Sequence, residues 1–256
     1  MGKYIDLTEA QINEMVTMYK NNIPMMTIAE RFNISKQTVK RRLEKRNDIV
    51  FRGNRKHFYN ETIFEVIDSP EKAYWLGFIL ADGYVNEDRC FMNLKLSDKD
   101  EGHLIKFINF IDGDMGMLHE EYHNLTGNRM VYVNASGKTF TKTLISHNIR
   151  QRKSGVEQWS DKVPEEYIRD YIRGIIDADG CIRKKNISIY GSKEVLGNIQ
   201  DFLTEKFLRD ETKICNYDNT FALYITAKRK EIANYIYYEN CVSLDRKYKK
   251  VKELYS

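Results

Sequence analysis

The sequence predicts an α+β fold of two similar halves, each in αββαββα order, behind a small all-α domain. Three observations predict this fold. One apolar segment ending in Asp-Gly occurs twice, similar strand and helix patterns follow each copy, and a basic three-helix pattern precedes both. The 256 residues, 42% of them hydrophobic, are enough to bury cores of this size. With 12% aromatic residues, wholesale disorder is not expected.

Positive charge is concentrated near the N-terminus. Residues 1–60 contain 12 Lys and Arg against 6 Asp and Glu, a bias typical of proteins that bind a polyanion. The chain lacks the apolar run of about 20 residues that a membrane helix needs, and its four cysteines form no CxxC pair. We therefore expect a soluble protein without disulfides or a zinc site. Its expected location is the cytoplasm of a bacterial or phage-infected cell, or an organellar matrix.

Three short helices are predicted at the start of the chain. Thr8 can cap the first, whose apolar residues follow helical spacing. Pro24 ends it, because proline disfavours helical backbone in the residue before it. A second helix follows over residues 25–32, and Ser35 can cap a third that runs from Lys36 to about Arg46.

The second and third helices resemble the helix-turn-helix of DNA-binding proteins, whose recognition helix enters the major groove by its N-terminal end. The side chains expected to contact DNA are Lys36, Gln37, Thr38, Lys40 and Arg41. We assign residues 1–48 to this domain and 49–67 to a basic linker, where Arg52 and Arg55 are expected to follow the DNA backbone. A plain three-helix interaction module is the alternative.

The repeated segment is the strongest signal in the chain. Its copies are YWLGFILADGYV at 74–85 and YIRGIIDADGCI at 171–182. In each copy a Gly and an Ala stand four residues apart, on one helix face. These residues are Gly77 and Ala81 in the first copy and Gly174 and Ala178 in the second. Such small residues allow close approach, so we expect the two helices to pack through these faces. Each then ends in Asp-Gly, where glycine tolerates the left-handed backbone that often follows a helix.

This packing would bring Asp82 and Asp179 together at the bottom of the interface. Two carboxylates at close range raise each other's pKa unless a cation lies between them. Oxygen ligands without His or Cys nearby favour Mg²⁺, which can activate water and stabilise the leaving oxygen in phosphodiester hydrolysis. A buried apolar helix with a polar end would explain one copy of the segment, but not two copies with matching acids.

The two segments resemble the paired motifs of LAGLIDADG homing endonucleases. The second copy matches nearly verbatim as IRGIIDADG at 172–180. The first, WLGFILADG at 75–83, has Leu80 where the second has Asp177, a position that does not bind metal in the family. The resemblance covers about residues 68–245. It implies a monomeric, site-specific endonuclease that cuts both strands across the minor groove, as in intron homing.

The resemblance also implies a cofactor and site residues. Two or more Mg²⁺ ions would be held by Asp82 and Asp179, the catalytic acids, together with the main-chain carbonyls of Ala81 and Ala178. Mn²⁺ is expected to substitute, and Ca²⁺ to bind without cleavage. Lys138 and Lys230, at matching helix starts, would lie near the metal-bound water or the scissile phosphate.

The elements after each motif are predicted in the same order. In the first half, residues 68–150, strands are predicted near 83–87, 90–97, 115–123 and 129–135, and helices at 98–111 and 138–147. In the second half, residues 164–256, strands are predicted near 181–184, 186–190, 211–217 and 220–226, and helices at 192–207 and 228–240. Residues 151–163 would link the halves, and the second half would end in a basic C-terminal tail.

The family presents a saddle-like antiparallel sheet of each half to the major groove. Alternation sends every second side chain of a strand to one face, and the second hairpin carries basic residues. The residues expected to contact DNA on this basis are Asn93, Lys95, Arg183, Lys185, Ser188 and Tyr190.

The implied partner is double-stranded DNA with a long, partly asymmetric target, without a membrane or an obligate protein partner. Two alternatives remain open: an RNA maturase that assists intron splicing, and a non-cleaving DNA-binding transcription regulator. Both acids are present, whereas loss of one would have favoured the regulator. A helix-turn-helix suits duplex DNA because A-form RNA closes its major groove to side chains.

Overall fold

The computed structural model forms two compact units, residues 1–58 and 59–256. The residues that the structure describes are 7–21, 23, 25–46, 49, 57–122, 127–151, 153–207, 210, 213–217 and 220–255. Among them, no helix is both long enough and apolar enough to cross a membrane.

The first unit contains the three predicted helices, α1 (Glu9–Lys20), α2 (Met25–Arg31) and α3 (Lys36–Leu43). Thr8 and Gln11 form a capping box at the start of α1, since each side chain accepts a hydrogen bond from the other's backbone N–H. The Ser35 hydroxyl caps α3 by accepting from the N–H of Thr38 at 3.1 Å. A small core holds the helices together: Met15, Val16, Tyr19, Ile28, Ala29, Val39 and Leu43.

The second unit contains two halves with the same order of elements. The first half comprises α4 (Pro70–Asp82), β1 (Gly83–Asn86), β2 (Phe91–Ser97), α5 (Glu101–Phe110), β3 (Leu118–Tyr122), β4 (Arg129–Ser136) and α6 (Lys138–Ser146). The second half comprises α7 (Ile168–Asp179), β5 (Gly180–Ile182), β6 (Ile187–Gly191), α8 (Lys193–Phe207), β7 (Cys215–Tyr217), β8 (Thr220–Ile225) and α9 (Arg229–Ile236). A further helix, α10 (Asp245–Tyr255), follows.

The two sheets of the described residues have the same topology. Their strand orders are β1-β2-β4-β3 and β5-β6-β8-β7, and every neighbouring pair is antiparallel. The predicted α+β class with αββαββα halves is therefore confirmed.

The motif helices α4 and α7 pack directly against each other through their glycines. A Cβ on Gly77 would overlap the carbonyl of Tyr171, and a Cβ on Gly174 would overlap the carbonyl of Tyr74. Only glycine leaves room for backbones at this separation. The close approach predicted for the two helices is therefore present, and it fixes where their C-terminal ends lie relative to each other.

The glycines that follow the motif helices are needed for a different reason from the predicted one. Gly83 has φ −73° and Gly180 has φ −95°, so neither adopts the left-handed conformation. A Cβ on Gly83 would lie 2.6 Å from the carbonyl oxygen of Ile79, and one on Gly180 would lie 2.5 Å from that of Ile176. At both positions, a side chain is excluded by close contact with the last turn of the motif helix, and not by a left-handed backbone conformation.

The ends of the second unit differ from the predicted linker and tail. Ile63, Phe64 and Ile67 are buried in the core of the second unit, so this part of the predicted 49–67 linker belongs to that core. The predicted basic tail is instead the amphipathic helix α10. Its residues Lys247, Val251 and Tyr255, spaced four apart, are buried. The many charges of this segment masked its helical spacing.

Candidate active site

The two predicted acids are brought together at the ends of the packed motif helices. Asp82 is the last residue of α4 and Asp179 the last of α7, and both are half-buried. Burial and, next, the charge of Asp179 raise the pKa of Asp82 to about 6. Burial raises the pKa of Asp179 as well. The two carboxylates therefore lie close enough to repel each other in a partly desolvated site.

Two lysines that sequence reasoning missed reach into this site. Lys153 lies between α6 and α7, is 9% exposed, and donates a hydrogen bond to the carbonyl of Ala81 at 2.9 Å. Lys247 lies on α10, is 5% exposed, and donates to the carbonyls of Ile176 and Asp177, each at 2.6 Å. Its ammonium is also 3.5 Å from the carbonyl of Ala178. Each lysine thus caps the C-terminal end of one motif helix, where the helix dipole favours a cation.

The two lysines are arranged crosswise with respect to the acids. Burial raises the pKa of both acids, and positive charges oppose that rise. Lys153, which bonds at the end of α4, is the charge that lowers the pKa of Asp179 on α7 most. Lys247, which bonds at the end of α7, is the charge that lowers the pKa of Asp82 on α4 most. Each lysine acts on both acids, but more strongly on the acid of the helix to which it is not bonded. We call a half-site the ammonium group, the carbonyl of the helix to which it bonds and the carboxylate on which it acts more strongly.

Burial in this site lowers the pKa of both lysines. Burial lowers the pKa of Lys247 to about 8, although Asp177, Asp82 and Asp179 oppose the shift. Burial also lowers the pKa of Lys153, against the charges of Glu157, Asp179 and Asp82. Because buried ammonium groups are costly without carboxylates nearby, lysines and acids depend on one another for their charged states.

The donor atoms fit a hard divalent cation. Within the part of the chain that the structure describes, no three His, Cys, Asp or Glu side chains cluster as a metal site. Such an ion would therefore depend on the carboxylates of Asp82 and Asp179, the carbonyls of Ala81 and Ala178, and water. These are oxygen ligands of the kind that Mg²⁺ prefers. The ammonium groups of Lys153 and Lys247 lie against the carbonyls at the ends of both motif helices, so each half-site already holds a positive charge.

Asp177 anchors the segment that carries Lys247. Its buried carboxylate accepts hydrogen bonds from the hydroxyls of Tyr74 and Tyr237 at 2.8 and 2.7 Å, and from the N–H of Leu244 at 2.7 Å. Leu244 directly precedes α10, so this carboxylate helps to fix the helix. The first motif copy has Leu80 at the place of Asp177. This difference between the copies was the feature of the sequence that could have indicated an anchoring role for Asp177.

Lys138 and Lys230 are exposed near the starts of α6 and α9. The positive charges that act on the acid pair come instead from Lys153, Lys247 and, for Asp82, also Arg246. The catalytic role of Lys138 and Lys230 stays a prediction.

Four of the five predicted recognition residues share one surface of α3. Lys36, Gln37, Lys40 and Arg41 are exposed and Thr38 is half-buried. Four of them, Gln37, Thr38, Lys40 and Arg41, line one depression together with Ser35 and Glu44. Arg52 and Arg55 lie outside the described residues.

The predicted contacts on the sheets divide into exposed and internally bonded residues. Arg183 and Lys185 are exposed in the hairpin between β5 and β6, and Tyr190 is half-buried. Lys95 on β2 is exposed but forms an ion pair at 2.7 Å with Glu121 on β3, on the far side of β4. Asn93 donates to Asn134 on the neighbouring β4 at 2.8 Å.

One predicted contact is wrong. Ser188 is fully buried, so its side chain is not available to a DNA groove. This small side chain lies between its register partners Cys181 and Tyr224, and its hydroxyl donates to the carbonyl of Cys181 at 3.4 Å. Alternation along β6 places Ser188 on the face opposite Ile187 and Ile189, but it could not show that the Ser188 side chain is buried there.

Comparison with known proteins gives a family match for the first unit. Residues 5–46 match the model described as the helix-turn-helix domain of resolvase. No curated protein matches the chain.

Solved structures with similar folds include full-length DUF199/WhiA from Thermatoga maritima, at 17% identity and a TM-score of 0.49. The similarity covers 77% of this chain but only 65% of that one, less than two thirds of its length. The N-terminal LAGLIDADG domain of DUF199/WhiA gives 16% identity and 0.43, over 69% of this chain and 87% of that one. I-DmoI in complex with DNA and Ca gives 14% identity and 0.48, over 76% of this chain and 99% of that one. The chain thus carries a resolvase-type helix-turn-helix domain, followed by two αββαββα halves whose motif helices are similar to the paired motifs of LAGLIDADG proteins.

Proposed function

We propose that this protein is a site-specific DNA endonuclease of the homing type, which hydrolyses one phosphodiester in each strand with divalent cations held by Asp82 and Asp179. The observation that carries the proposal is the meeting of these two carboxylates at the ends of α4 and α7, where the charge of Asp179 helps to raise the pKa of Asp82. Repelling acids in a partly buried position are costly to stability, and such perturbed groups cluster at functional sites.

Each residue of the site would have a defined part in this reaction. Asp82 and Asp179 would present carboxylate oxygens to the cations, with the carbonyls of Ala81 and Ala178 beside them. Bound Mg²⁺ would supply activation of water and stabilisation of the leaving oxygen. The glycine contact between Gly77 and Gly174 fixes the spacing of the acids, so the site is preorganised by the core rather than by loops.

DNA recognition would be divided between the two units. The exposed basic and polar side chains at the start of α3 would read the major groove, as in other helix-turn-helix domains. I-DmoI, whose fold is similar, was crystallised in complex with DNA. Linking a helix-turn-helix to the core would lengthen the target and add affinity through tethering. Since one chain contains both half-sites, a monomer would cut both strands of a partly asymmetric target.

A second candidate is a non-cleaving DNA-binding regulator. The observation that favours it is the position of Lys153 and Lys247, whose ammonium groups already bond to the carbonyls of the motif helices. Permanent neutralisation of the acids by these lysines would leave a stable core without metal chemistry.

A cleavage assay separates the two candidates. A randomised DNA library, incubated with the protein and Mg²⁺ or Mn²⁺, is expected to yield double-strand cuts at a defined sequence, and a chelator is expected to prevent them. Target DNA that is bound without any cut under these conditions would favour the regulator.

Variants of the acids test the site itself. Asp82→Asn and Asp179→Asn are each expected to reduce double-strand cutting at least about a hundredfold, because metal-ion catalysis contributes several kcal/mol and each 1.36 kcal/mol is tenfold. DNA binding, measured by gel shift in Ca²⁺, should remain. Asp201→Asn, an exposed acid on α8, is the matched control and should cut normally. Wild-type cutting by either site variant would refute the assignment.

A further inference from the structure

The ammonium groups of Lys153 and Lys247 occupy corresponding places in the two half-sites. Lys153 bonds to the carbonyl of Ala81, the residue before Asp82. Lys247 bonds to the carbonyl of Asp177 and lies 3.5 Å from that of Ala178, the residue before Asp179. The carbonyls of Ala81 and Ala178 are the main-chain atoms expected to bind metal. In the half-site of Lys153, the lysine and a divalent cation would therefore compete for the same oxygen, that of Ala81. In the other half-site, the ammonium of Lys247 would lie beside a cation bound to the Ala178 carbonyl and would have to move away from it.

The two lysines also hold corresponding positions in the sequence. Lys153 follows the helix that closes the first half, α6, and Lys247 follows the one that closes the second, α9. Each chain segment thus returns, after its half is complete, to the C-terminal end of that half's own motif helix. The ammonium of each lysine therefore acts on both acids of the pair, and both lysines oppose the rise in the pKa of each acid.

We propose that Lys153 and Lys247 are built-in cations of the acid pair, and that a divalent cation enters each half-site only by displacing the lysine ammonium. This inference rests on the proposed function, because it takes the acid pair to be a metal site. It makes the free protein a poor binder of divalent cations and assigns the lysines the role of positioning residues that hold the carbonyls and acids in place.

The half-sites differ in how firmly the lysine is held. Lys247 has two carbonyl partners at 2.6 Å and stands on a helix that Asp177 anchors through Leu244. Lys153 has Ala81 as its carbonyl partner and belongs to a segment between helices. Displacement is therefore easier in the half-site formed by Lys153, the Ala81 carbonyl and Asp179, which we expect to bind the first divalent cation.

Calorimetric titration of the full chain with Ca²⁺, without DNA, tests the proposal. Lys153→Met is expected to lower the Kd for Ca²⁺ about tenfold, equivalent to about 1.4 kcal/mol, because it removes the competing charge and keeps a side chain of similar length. The double variant with Asp179→Asn should lose this gain, because the carboxylate of the same half-site is gone. Lys249→Met, an exposed lysine on α10, is the control and should bind Ca²⁺ as the wild type does.

A second measurement uses the unaltered protein, in case the variant does not fold. Acetylation of lysines by a water-soluble acyl ester, followed by mass spectrometry, reports how accessible each ammonium is. Saturating Ca²⁺ is expected to speed the modification of Lys153 several-fold while that of Lys249 stays constant. Unchanged labelling of Lys153 would overturn the proposal.

The outcomes separate this inference from the proposed function. Tighter Ca²⁺ binding by Lys153→Met supports the inference even if no DNA is cut. Equal or weaker binding by that variant, or no Ca²⁺ binding by either protein, overturns the inference, and the cleavage assay then decides the proposed function alone.

Discussion

His103 and Asp177 are two buried side chains that share one phenol, that of Tyr74. The Tyr74 hydroxyl donates to Asp177 at 2.8 Å and lies 2.8 Å from Nε2 of His103. Since the phenol proton is directed to the carboxylate, Nε2 of His103 must donate, which leaves Nδ1 unprotonated. Nδ1 is buried and, among the described residues, has no hydrogen-bond partner. A neutral imidazole fits this place, and a charged one does not.

The neutral state of His103 predicts a pH dependence of stability. Burial and the nearby charges of Lys106, Arg246 and Lys247 lower its pKa from 6.5 to about 3. Below pH 6.5 the unfolded chain binds a proton that the folded chain refuses, so the free energy of unfolding falls as the pH falls. This histidine contributes about 1.4 kcal/mol per pH unit well inside that window.

Urea unfolding at pH 7 and pH 5 measures the effect. His103→Gln is expected to be less stable than the wild type at pH 7, by about 1–3 kcal/mol for an altered buried contact. Its stability should fall less between the two pH values. Equal losses in both proteins would show that His103 is protonated in the folded state.

At the scale of elements, α4 and α7 can pack at this separation because Gly77 and Gly174 have no side chains. Gly77→Ala would place a methyl group against the carbonyl of Tyr171, in the backbone of the facing helix. The helices would have to move apart, and the acids at their ends would move with them. We expect a loss of about 1–3 kcal/mol in the free energy of unfolding, together with loss of DNA cutting.

A glycine in another helix supplies the control. Gly197 lies within α8, and a Cβ there would meet nothing within 4 Å. Gly197→Ala is expected to stabilise the protein by up to about 1 kcal/mol, since alanine is the better helix former. Thermal unfolding of both variants checks the contrast, and a harmless Gly77→Ala would mean that the helices are less tightly packed.

These elements also show what a sequence can reveal about the site. Asp82 and Asp179 could be predicted because each stands in a repeated local pattern, and the glycine faces specify which helices meet. Lys153 and Lys247 could not, since their local sequences, QRKSG and DRKYK, have only the pair Arg-Lys in common, and nothing in so short a repeat connects these lysines with the acids. Their role follows from long-range packing, which places the chain after each half against that half's own motif helix.

At the scale of the whole molecule, the two units carry different charge. The first 60 residues have twice as many Lys and Arg as Asp and Glu, whereas the +4 charge of the full chain is smaller than their excess. Attraction to DNA phosphates should therefore reside largely in the first unit, while the core contributes its paired acids and exposed hairpin residues such as Arg183. Under the proposed function, nonspecific affinity for DNA and catalysis would belong to different units.

This division predicts the salt dependence of DNA binding. The double variant Lys40→Gln with Arg41→Gln is expected to bind DNA more weakly. The magnitude of the slope of log K against log salt concentration should fall by up to about 2, because each lost phosphate contact accounts for about 0.9. Lys20→Gln, which removes a charge from α1, should leave the slope nearly unchanged. Fluorescence anisotropy between about 50 and 200 mM salt measures all three proteins. An unaltered slope in the double variant would mean that the start of α3 does not touch the DNA backbone, and its side chains would then have to act on bases or on another partner.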